Sequence, residues 1–434
     1  MLRSVTNSSE LIADVYAIDD SRGRPTVRCT LRLGDMEGSG DVPAGASKGE
    51  DEAATVPVSQ AIDNINQIIL PALREAGLDL MTHEYVERLD RLIAEKSGPN
   101  FRTLGANAAL PVSRALWQLA AALHGQQLAL YMRANSEAGN EGHVLFMMNI
   151  FNGGLHALKE GECLGQDRID IQEIMVVPMT ASTYEQALAM GDRIDGHLKK
   201  ILEKKFGADK VTRADEAGFS VRGLGDSKAA FALVFDAINK AGYTPGHDVK
   251  LALDVAASSF YDANTGFYRV QGQTLSTEDM IAYLVGLVDA YPGMLLSVED
   301  GLAENDWEGW PVLTEEMSKR KVTTIGDDLF VTQFPRLLRG IETKAATGIL
   351  IKVNQNGTVQ GTLDVMKHAH DAGMKCIVSH RSGETLDDSI ADLAFGTGAF
   401  GLKTGDPQPV GDFTDPDAWV RRVKYLRMIA LEQD

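Results

Sequence analysis

The sequence predicts an α/β protein in which a mixed α+β region precedes a barrel of parallel strands and helices. From about residue 144 onward, short apolar runs alternate with amphipathic helices, and six or more such units indicate a parallel sheet. The chain has 434 residues, enough for a barrel of about 250 residues and one smaller domain. A closed barrel is favoured. The alternative is a doubly wound open sheet, but neither GxGxxG nor GxxxxGK[ST] supports a nucleotide-binding version of it.

Residues 1–140 are predicted to form the smaller α+β domain. The run PTVRCTLRL (25–33) alternates apolar and polar side chains, as a strand does. Helices are predicted near 52–76 and 110–134. The segment 42–53 is rich in glycine and alanine and is predicted as a loop that leads into the first helix.

Residues 141–434 are predicted to form the barrel that carries the active site. The runs assigned to strands are VLFMMNIFN (144–152), IDIQEIMVV (169–177), VKLALDV (249–255), MLLSVED (294–300), VTTIGDD (322–328), GILIKVN (348–354), KCIVSH (375–380) and AFGLK (399–403). The stretches predicted as helices are 184–205, 227–241, 277–291, 362–372 and 419–432.

Composition and charge exclude several classes of protein. No apolar run approaches the roughly 20 residues that cross a bilayer, and residues 1–16 lack the apolar core of a secretory signal. The three cysteines (Cys29, Cys163 and Cys376) are far apart, which fits a reducing cytoplasm. The net charge of −19 argues against nucleic acid or an anionic membrane as partner. A small anionic substrate stays open, because a pocket can carry the opposite charge.

Carboxylates follow three successive predicted strands. Asp254 ends LALDV, Glu299 and Asp300 end LLSVED, and TTIGDD ends with Asp327 and Asp328. Because the carboxyl ends of barrel strands form one face, these groups should lie close together. Like charges so placed resist ionisation, and a divalent cation such as Mg²⁺ removes that difficulty. The alternative is that these residues only cap the helices that follow.

The next three predicted strands end in cationic and polar groups. GILIKVN contributes Lys352, KCIVSHRS contributes His380, Arg381 and Ser382, and AFGLKT contributes Lys403. Two lysines facing one pocket beside a metal would lower each other's pKa, so that one could act as a neutral base near neutral pH. The alternative for Lys352 is a paired or snorkelling core lysine. The tripeptide 380–382 is typical of an anion clamp.

Two further acidic residues complete the predicted chemistry, since Glu173 ends IDIQE and Glu216 lies in RADEAGF. A pocket with carboxylates and metal on one side and lysines on the other suits abstraction of a proton next to a carboxylate. Metal ions and Lys403 would hold the resulting dianion, and a glutamic acid would protonate a leaving hydroxyl.

The sequence resembles the enolase family over almost its whole length. The matching segments are DSRGRPTV (20–27), VPAGASKGE (42–50), MMNIFNGGLHA (147–157), SVEDGLAENDWEGW (297–310), IGDDLFVT (325–332), LIKVNQNGT (350–358) and VSHRSGETLDDSIADLAFGTGAFGLKTGDP (378–407). The resemblance implies an N-terminal α+β domain followed by an eight-stranded TIM-like barrel, in a homodimer or higher homo-oligomer. It also implies a Mg²⁺-dependent dehydratase that converts a 2-phosphoglycerate-type substrate to a phosphoenolpyruvate-type product, with a lysine or histidine base and an ene-diolate held by metal.

Carried over residue by residue, the resemblance implies two Mg²⁺ ions, the second binding with the substrate. Asp254, Glu299 and Asp327 match the ligands of the first ion, and Ser47 matches a ligand of the second. Lys352 matches the base. The implied catalytic set is Lys352, Glu216, Glu173, Lys403 and His156, and the implied substrate-binding set is His380, Arg381, Ser382, Gln172, Lys403 and Ser47.

Several positions depart from the family pattern. They are DEAGFSVR in place of DEGGFAPN (215–222), an insert at 158–170, Lys48, Gly301, Asn356, the turn 406–412, Arg24 and Arg28. One interpretation is neutral drift in a glycolytic enolase. The other is a paralogue with a modified substrate, for which carboxyphosphonoenolpyruvate synthase of phosphinate antibiotic pathways is a precedent. Lys48 and Lys159 would then accommodate an added negative group.

Two other classes of function are disfavoured by the same residues. A non-catalytic enolase-like protein would be expected to lose part of the catalytic set, which is intact here. A racemase or cycloisomerase of the superfamily would carry a lysine pair where Gln172 and Glu173 stand.

Overall fold

A computed structural model describes residues 11–45, 49–77, 79–136, 142–157, 167–407 and 416–433, without the side chains of residues 416 and 417. The predicted domain boundary at 140/141 lies outside these residues, as do Ser47, Lys48, Lys159 and Cys163. In the described part of the chain, no helix combines the length and the apolar character needed to span a bilayer.

An antiparallel sheet begins the described chain. Its strands are β1 (Ile12–Asp19), β2 (Pro25–Leu33) and β3 (Met36–Asp41), in that order. The helices that follow are α1 (Val58–Asn64), α2 (Leu70–Ala76), α3 (His83–Ser97), α4 (Ala106–Leu123) and α5 (Leu128–Asn135), with a π-helical turn at Ile65–Ile69 between the first two. Helix α4 packs closely on β3, because a methyl group at Gly38 would lie 2.3 Å from the carbonyl oxygen of Ala115. The predicted strand at 25–33 is confirmed as β2.

Two predicted helices of this region have different limits. The helix predicted near 52–76 begins only at Val58, since Pro57 holds extended backbone with ψ 143° and also restricts the residue before it. The helix predicted near 110–134 is two helices, because the chain turns at Gly125 in the left-handed region with φ 64°.

Eight strands of the second region form a closed barrel. The strands of this region are β4 (Leu145–Asn152), β5 (Glu173–Pro178), β6 (Val211–Arg213), β7 (Phe219–Val221), β8 (Val249–Asp254), β9 (Tyr261–Asp262), β10 (Phe267–Val270), β11 (Gln273–Leu275), β12 (Leu295–Glu299), β13 (Thr323–Gly326), β14 (Gly348–Ile351), β15 (Lys375–Ser379) and β16 (Gly401–Lys403). The barrel order is β16-β15-β14-β13-β12-β8-β5-β4, and β16 pairs with β4 to close it. The hairpin β6–β7 extends the sheet beside β4, and β9–β11 form a small separate sheet. The predicted α+β domain and barrel are thus confirmed.

Helices surround the barrel. They are α6 (Tyr184–Phe206), α7 (Ser227–Lys240), α8 (Thr277–Ala290), α9 (Gly309–Lys319), α10 (Phe334–Thr343), α11 (Val353–Asn356), α12 (Val359–Asp371), α13 (Ser389–Thr397) and α14 (Pro416–Gln433). The side chains that fill the barrel interior are Met147, Met175, Val177, Ala252, Leu296, Ile325, Leu350 and Ile377.

One strand departs from the predicted parallel sheet. Strand β5 runs antiparallel to both of its neighbours, β4 and β8. The reversal places Glu173, the first residue of β5, opposite Asp254, the last residue of β8. The strand predicted over 169–177 therefore begins only at Glu173, and its reversed direction brings Glu173 to the face where the parallel strands end.

Buried polar contacts join the first region to the barrel. The Asp90 carboxylate of α3 accepts from the backbone N–H of Gln360 at 2.7 Å, and the Ser113 hydroxyl of α4 accepts from the N–H of Val359 at 2.9 Å. Both N–H groups lie in the first turn of α12, where the helix has no internal acceptors for them. The two helices therefore cap a barrel helix.

Candidate active site

A cavity of about 320 Å³ opens at the carboxyl end of the barrel strands. Among the described residues, its lining includes most of the predicted site residues: His156, Gln172, Glu173, Glu216, Asp254, Asp327, Lys352, His380, Arg381, Ser382 and Lys403. Glu299 lies beneath the wall, 1% exposed and in contact with Lys403. The predicted role of Ser47 falls on a residue outside the described ranges.

Strand ends position the acidic side of the cavity. Asp254 and Glu299 are the last residues of paired strands and lie directly opposite each other. Asp300 follows with φ 42°, and its carboxylate accepts from the N–H groups of Asp327 at 2.9 Å and Asp328 at 2.8 Å. Asp300 thus fixes the turn that presents Asp327 to the cavity.

Lys403 lies at the centre of the buried carboxylates. Its Nζ is 2.8 Å from Glu299 Oε1, 3.0 Å from Asp254 Oδ2 and 3.3 Å from Glu173 Oε2. Burial alone would lower the pKa of this lysine, but the three carboxylates outweigh burial and raise the pKa well above its usual value. Lys403 is therefore a fixed positive charge at the base of the cavity.

Lys352 forms an ion pair with Asp327. Burial lowers the pKa of Lys352, but the Asp327 carboxylate opposes burial, and the resulting pKa lies above the ordinary value. The same pair keeps the pKa of Asp327 below its ordinary value despite burial. Lys403 does lower the pKa of Lys352, as expected, but the Asp327 carboxylate outweighs that effect, so these protein groups alone leave Lys352 protonated.

The acidic groups fit a divalent cation by their chemistry. Glu299 Oε2 is buried and makes no hydrogen bond, and burial together with Asp254 raises the pKa of Glu299 well above its usual value. Within the described ranges, the group of three carboxylates whose ligand atoms all lie within 4.8 Å of one another is Asp300, Asp327 and Asp328, rather than the predicted triad. Lys403 separates Asp254 from Glu299, and Lys352 holds Asp327.

A second cluster contains two glutamates and two histidines. His156, Glu173 and Glu216 bring ligand atoms within 4.8 Å of one another, and His156 Nδ1 lies 3.4 Å from Glu173 Oε1. Glu216 accepts from His380 Nε2 at 2.9 Å and from Ser382 Oγ at 3.3 Å. Burial raises the pKa of Glu173 well above its usual value. Burial acts in the same direction on Glu216, but the histidines outweigh it and the pKa of Glu216 falls well below its usual value. Of the two carboxyl groups, burial favours the protonated form of Glu173, and the histidines favour the ionised form of Glu216.

The backbone at Glu216 is in an unfavourable conformation that side chains hold in place. Glu216 and Ala217 both have positive φ, 61° and 66°. Arg213 donates to the carbonyl oxygen of Ala217 at 2.8 Å and pairs with Asp406 at 2.7 Å. The Asp406 N–H in turn donates to the carbonyl oxygen of Glu216 at 3.0 Å. Sequence reasoning missed Arg213, because nothing in the local pattern links it to position 216.

The anion side of the cavity is built around Arg381. Its guanidinium donates to Asn354 Oδ1 at 2.9 Å and to Glu52 Oε1 at 3.2 Å. Glu52 Oε1 also accepts from Gln355 Nε2 at 3.1 Å and from the N–H of Gly49 at 3.2 Å. Sequence reasoning missed Glu52, which lies in the predicted loop 42–53, two residues beyond the resembling segment VPAGASKGE (42–50). It connects that loop to the predicted anion clamp.

Departures from the family pattern were expected to alter loops that line the pocket. Among the described residues, Ala217, Gly301, Asn356, Arg24 and Arg28 do not themselves line the cavity, but Ala217 and Gly301 adjoin Glu216 and Asp300, which do. Arg28 pairs with Asp41 at 2.6 Å, and the Asn356 amide donates to the Thr332 carbonyl oxygen at 3.1 Å. Lys48, Lys159 and residues 158–166 of the insert lie outside the described ranges.

Two family models match the chain. Residues 12–132 match the model described as "Enolase, N-terminal domain", and residues 143–412 match the one described as "Enolase, C-terminal TIM barrel domain". The matches cover both the sheet-and-helix region and the barrel with its cavity. The resemblance seen in the sequence motifs is thus confirmed.

Proposed function

The chain belongs to the enolase family, and we propose on that premise that it is a Mg²⁺-dependent carbon–oxygen lyase that removes water from 2-phosphoglycerate. One observation carries the proposal. Lys352, the Glu173–Glu216 pair and the Arg381 anion clamp all line one cavity, so a base, a proton-holding carboxyl pair and an anion site face the same ligand.

Lys352 is the proposed base. Its Nζ would take the proton from the carbon next to the substrate carboxylate, and the C–H electron pair would pass into the carboxylate as an ene-diolate. Lys403, buried and held protonated by three carboxylates, would neutralise part of that charge. Lys352 must lose its own proton first, so the Asp327 ion pair has to weaken when the substrate complex forms.

The Glu173–Glu216 pair is the proposed acid. When the carbon–oxygen bond to the leaving hydroxyl breaks, the pair supplies one proton and water departs. Glu173 is the group on which burial keeps that proton, and Glu216 is the carboxylate oriented by two donors. The two glutamates would therefore share the role of acid, rather than one supplying the proton and the other taking no part.

The carboxylates of Asp254, Glu299 and Asp327 are proposed to hold the first Mg²⁺, with Ser47 at the second. The unpartnered Glu299 Oε2 and the all-oxygen donor set support this assignment. Bound there, the ion would supply positive charge for the ene-diolate and relieve the repulsion among the carboxylates.

The phosphate of the substrate is proposed to bind at Arg381, Ser382 and His380. Because Glu52 and Asn354 fix the guanidinium, Arg381 is preorganised for a bidentate contact with a phosphate. The homo-oligomeric state and the cytoplasmic location remain predictions that rest on the resemblance and on cysteine usage.

The test is a direct assay of turnover. We would mix the purified chain with Mg²⁺ and 2-phosphoglycerate and follow the ultraviolet absorbance of the enol product, with EDTA as the control. Turnover of about 1–1000 per second is expected. Feeble turnover, with Mg²⁺ still binding in calorimetry, would overturn this substrate, and carboxylated or phosphonate analogues would then be assayed to find another.

A further inference from the structure

Two buried cationic side chains of the last helix, α14, lie next to the anion clamp at residues 380–382. Arg421 and Lys424 of α14 are both 0% exposed. Arg421 donates to the carbonyl oxygen of Ser382 at 2.9 Å and of Arg381 at 3.3 Å. Lys424 Nζ lies 3.0 Å from the Glu384 carboxylate. Helix α14 therefore supports the backbone of residues 381–384 from behind the cavity.

Arg421 also contacts a side chain of the site, and this contact fixes a proton. Its Nη1 lies 2.6 Å from His380 Nδ1. A guanidinium can only donate, so Nδ1 must accept and carries no hydrogen. On the other side of the ring, Nε2 lies 2.9 Å from a Glu216 carboxylate oxygen, which can only accept when ionised. The geometry thus requires a neutral imidazole with its proton on Nε2.

We propose that Arg421 is a positioning residue that imposes the Nε2–H tautomer on His380 and so holds the Glu216 carboxylate in place. With Arg421 present, Glu216 receives one hydrogen bond from His380 and one from Ser382, whose backbone Arg421 also anchors. In the opposite tautomer, a ring lone pair would face the carboxylate and repel it. The consequence for turnover rests on the proposed function, whereas the tautomer itself does not.

The tautomer can be read without any assay of activity. We would record ¹⁵N NMR spectra of the full chain labelled at its nine histidines, and assign the His380 signals by their loss in His380→Gln. The expected spectrum has a bare Nδ1 and a protonated Nε2 in the unmodified protein. A protonated Nδ1 would overturn the proposal directly, and this readout is independent of how any Arg421 variant folds.

The variants Arg421→Met and Arg421→Lys test the consequence. Arg421→Met should shift His380 toward a mixture of tautomers and lower kcat by about 10–100-fold, the usual effect of removing a supporting partner, with a much smaller change in KM. Arg421→Lys keeps a group that can only donate, so it should retain more of the Nε2–H tautomer and of kcat. The matched control is Arg422→Met, since Arg422 is the next residue of α14 but donates to Asp192 at 3.0 Å and to the Pro407 carbonyl oxygen at 2.8 Å.

The outcomes separate the two proposals. If the unmodified chain shows the Nε2–H tautomer but does not turn over 2-phosphoglycerate, the proposed function fails and the positioning role stands. If the chain turns over and Arg421→Met keeps both kcat and the tautomer, the positioning role fails and the function stands. Equal losses in Arg421→Met and Arg422→Met, without a change of tautomer, would indicate only a general structural effect and would also overturn the proposal.

Discussion

The mouth of the barrel and the contact between the N-terminal domain and the barrel are both buried and charged, but their charges are arranged differently. At the mouth, carboxylates outnumber cations. The single ammonium group of Lys403 contacts three carboxylates, those of Glu173, Asp254 and Glu299. One Glu299 oxygen has no hydrogen-bond partner. Such an arrangement is electrostatically unfavourable until a cation binds.

At the domain contact, the buried Arg114 is paired with the buried Asp387, although Asp90 keeps one carboxylate oxygen without a hydrogen-bond partner. Arg114 donates to the carbonyl oxygen of Asp41 at 2.9 Å and lies 3.5 Å from the Asp387 carboxylate, with both side chains at most 5% exposed. Asp387 also accepts from the Asp41 N–H at 2.9 Å. These contacts are complete without any ligand.

The difference indicates what each region is for. Uncompensated charge at the mouth is what the proposed cation and the proposed anionic substrate would complete. Paired charge at the domain contact serves docking. Substitutions at the mouth should therefore change chemistry more than stability, and substitutions at the contact should do the reverse.

The largest effect is expected for Lys352→Ala. Loss of the base should lower both turnover and exchange of the α-proton with solvent deuterium by about 10²–10⁴-fold, while calorimetry still shows Mg²⁺ binding. Lys375→Ala is the matched control, because Lys375 donates to Thr323 at the opposite end of the barrel strands. Near-normal exchange in Lys352→Ala would remove Lys352 from the role of base.

Arg114→Met should be the most destabilising change at the domain contact. It leaves the buried Asp387 carboxylate without its cation, which typically costs about 3–5 kcal/mol. Urea unfolding would measure the loss. Arg91→Met is the control, since the Arg91–Asp364 pair crosses the same contact but is exposed, and such pairs contribute about 0–1 kcal/mol. Equal losses in the two variants would contradict the comparison.

Asp90 should make the domain contact sensitive to pH. Burial raises the pKa of Asp90 to about 6 from 3.8. Because the folded state holds the proton more tightly, Asp90 favours folding below pH 3.8, and this contribution is lost as pH rises through about 6. The difference between these two pKa values corresponds to roughly 3 kcal/mol in the free energy of unfolding. Thermal melts between pH 4 and 8 should show a weaker pH dependence in Asp90→Asn, and an unchanged profile would show that Asp90 is ionised in both states.

A smaller effect from the same pH linkage is expected at Glu299, and Glu299→Gln in EDTA tests it. The pKa of Glu299 is raised by burial, so the carboxylate opposes folding as pH rises above its ordinary pKa. Its amide should therefore raise the Tm of the metal-free protein at pH 8, because a buried charge is removed. The rise in Tm caused by Mg²⁺ should disappear.

Glu384→Gln is the control for that comparison. Lys424 keeps the pKa of Glu384 low despite burial, so this carboxylate supports folding and its loss should destabilise the protein. A Mg²⁺-induced rise in Tm that survives in Glu299→Gln would remove Glu299 from the proposed ligand set.

The sequence by itself determined which residues can take part in the chemistry and the approximate order of strands and helices. The sequence predicted that several polar side chains share one face of a barrel. Apolar runs lead to Asp254, Glu299 and Asp327, and others lead to Lys352 and Lys403. That inference holds because the carboxyl ends of parallel barrel strands meet at one end whatever the details of packing.

Only the tertiary structure decided the direction of β5, the pairing of Glu52 with Arg381 and the contact of Arg421 with His380. Periodicity reports the environment of a residue along its own element, and it does not report which distant element packs against it. The pKa of Lys352 shows the same limit. The direction in which this pKa shifts depends on the ion pair with Asp327. Asp327 lies 25 residues away in the chain and reaches Lys352 only once the barrel closes.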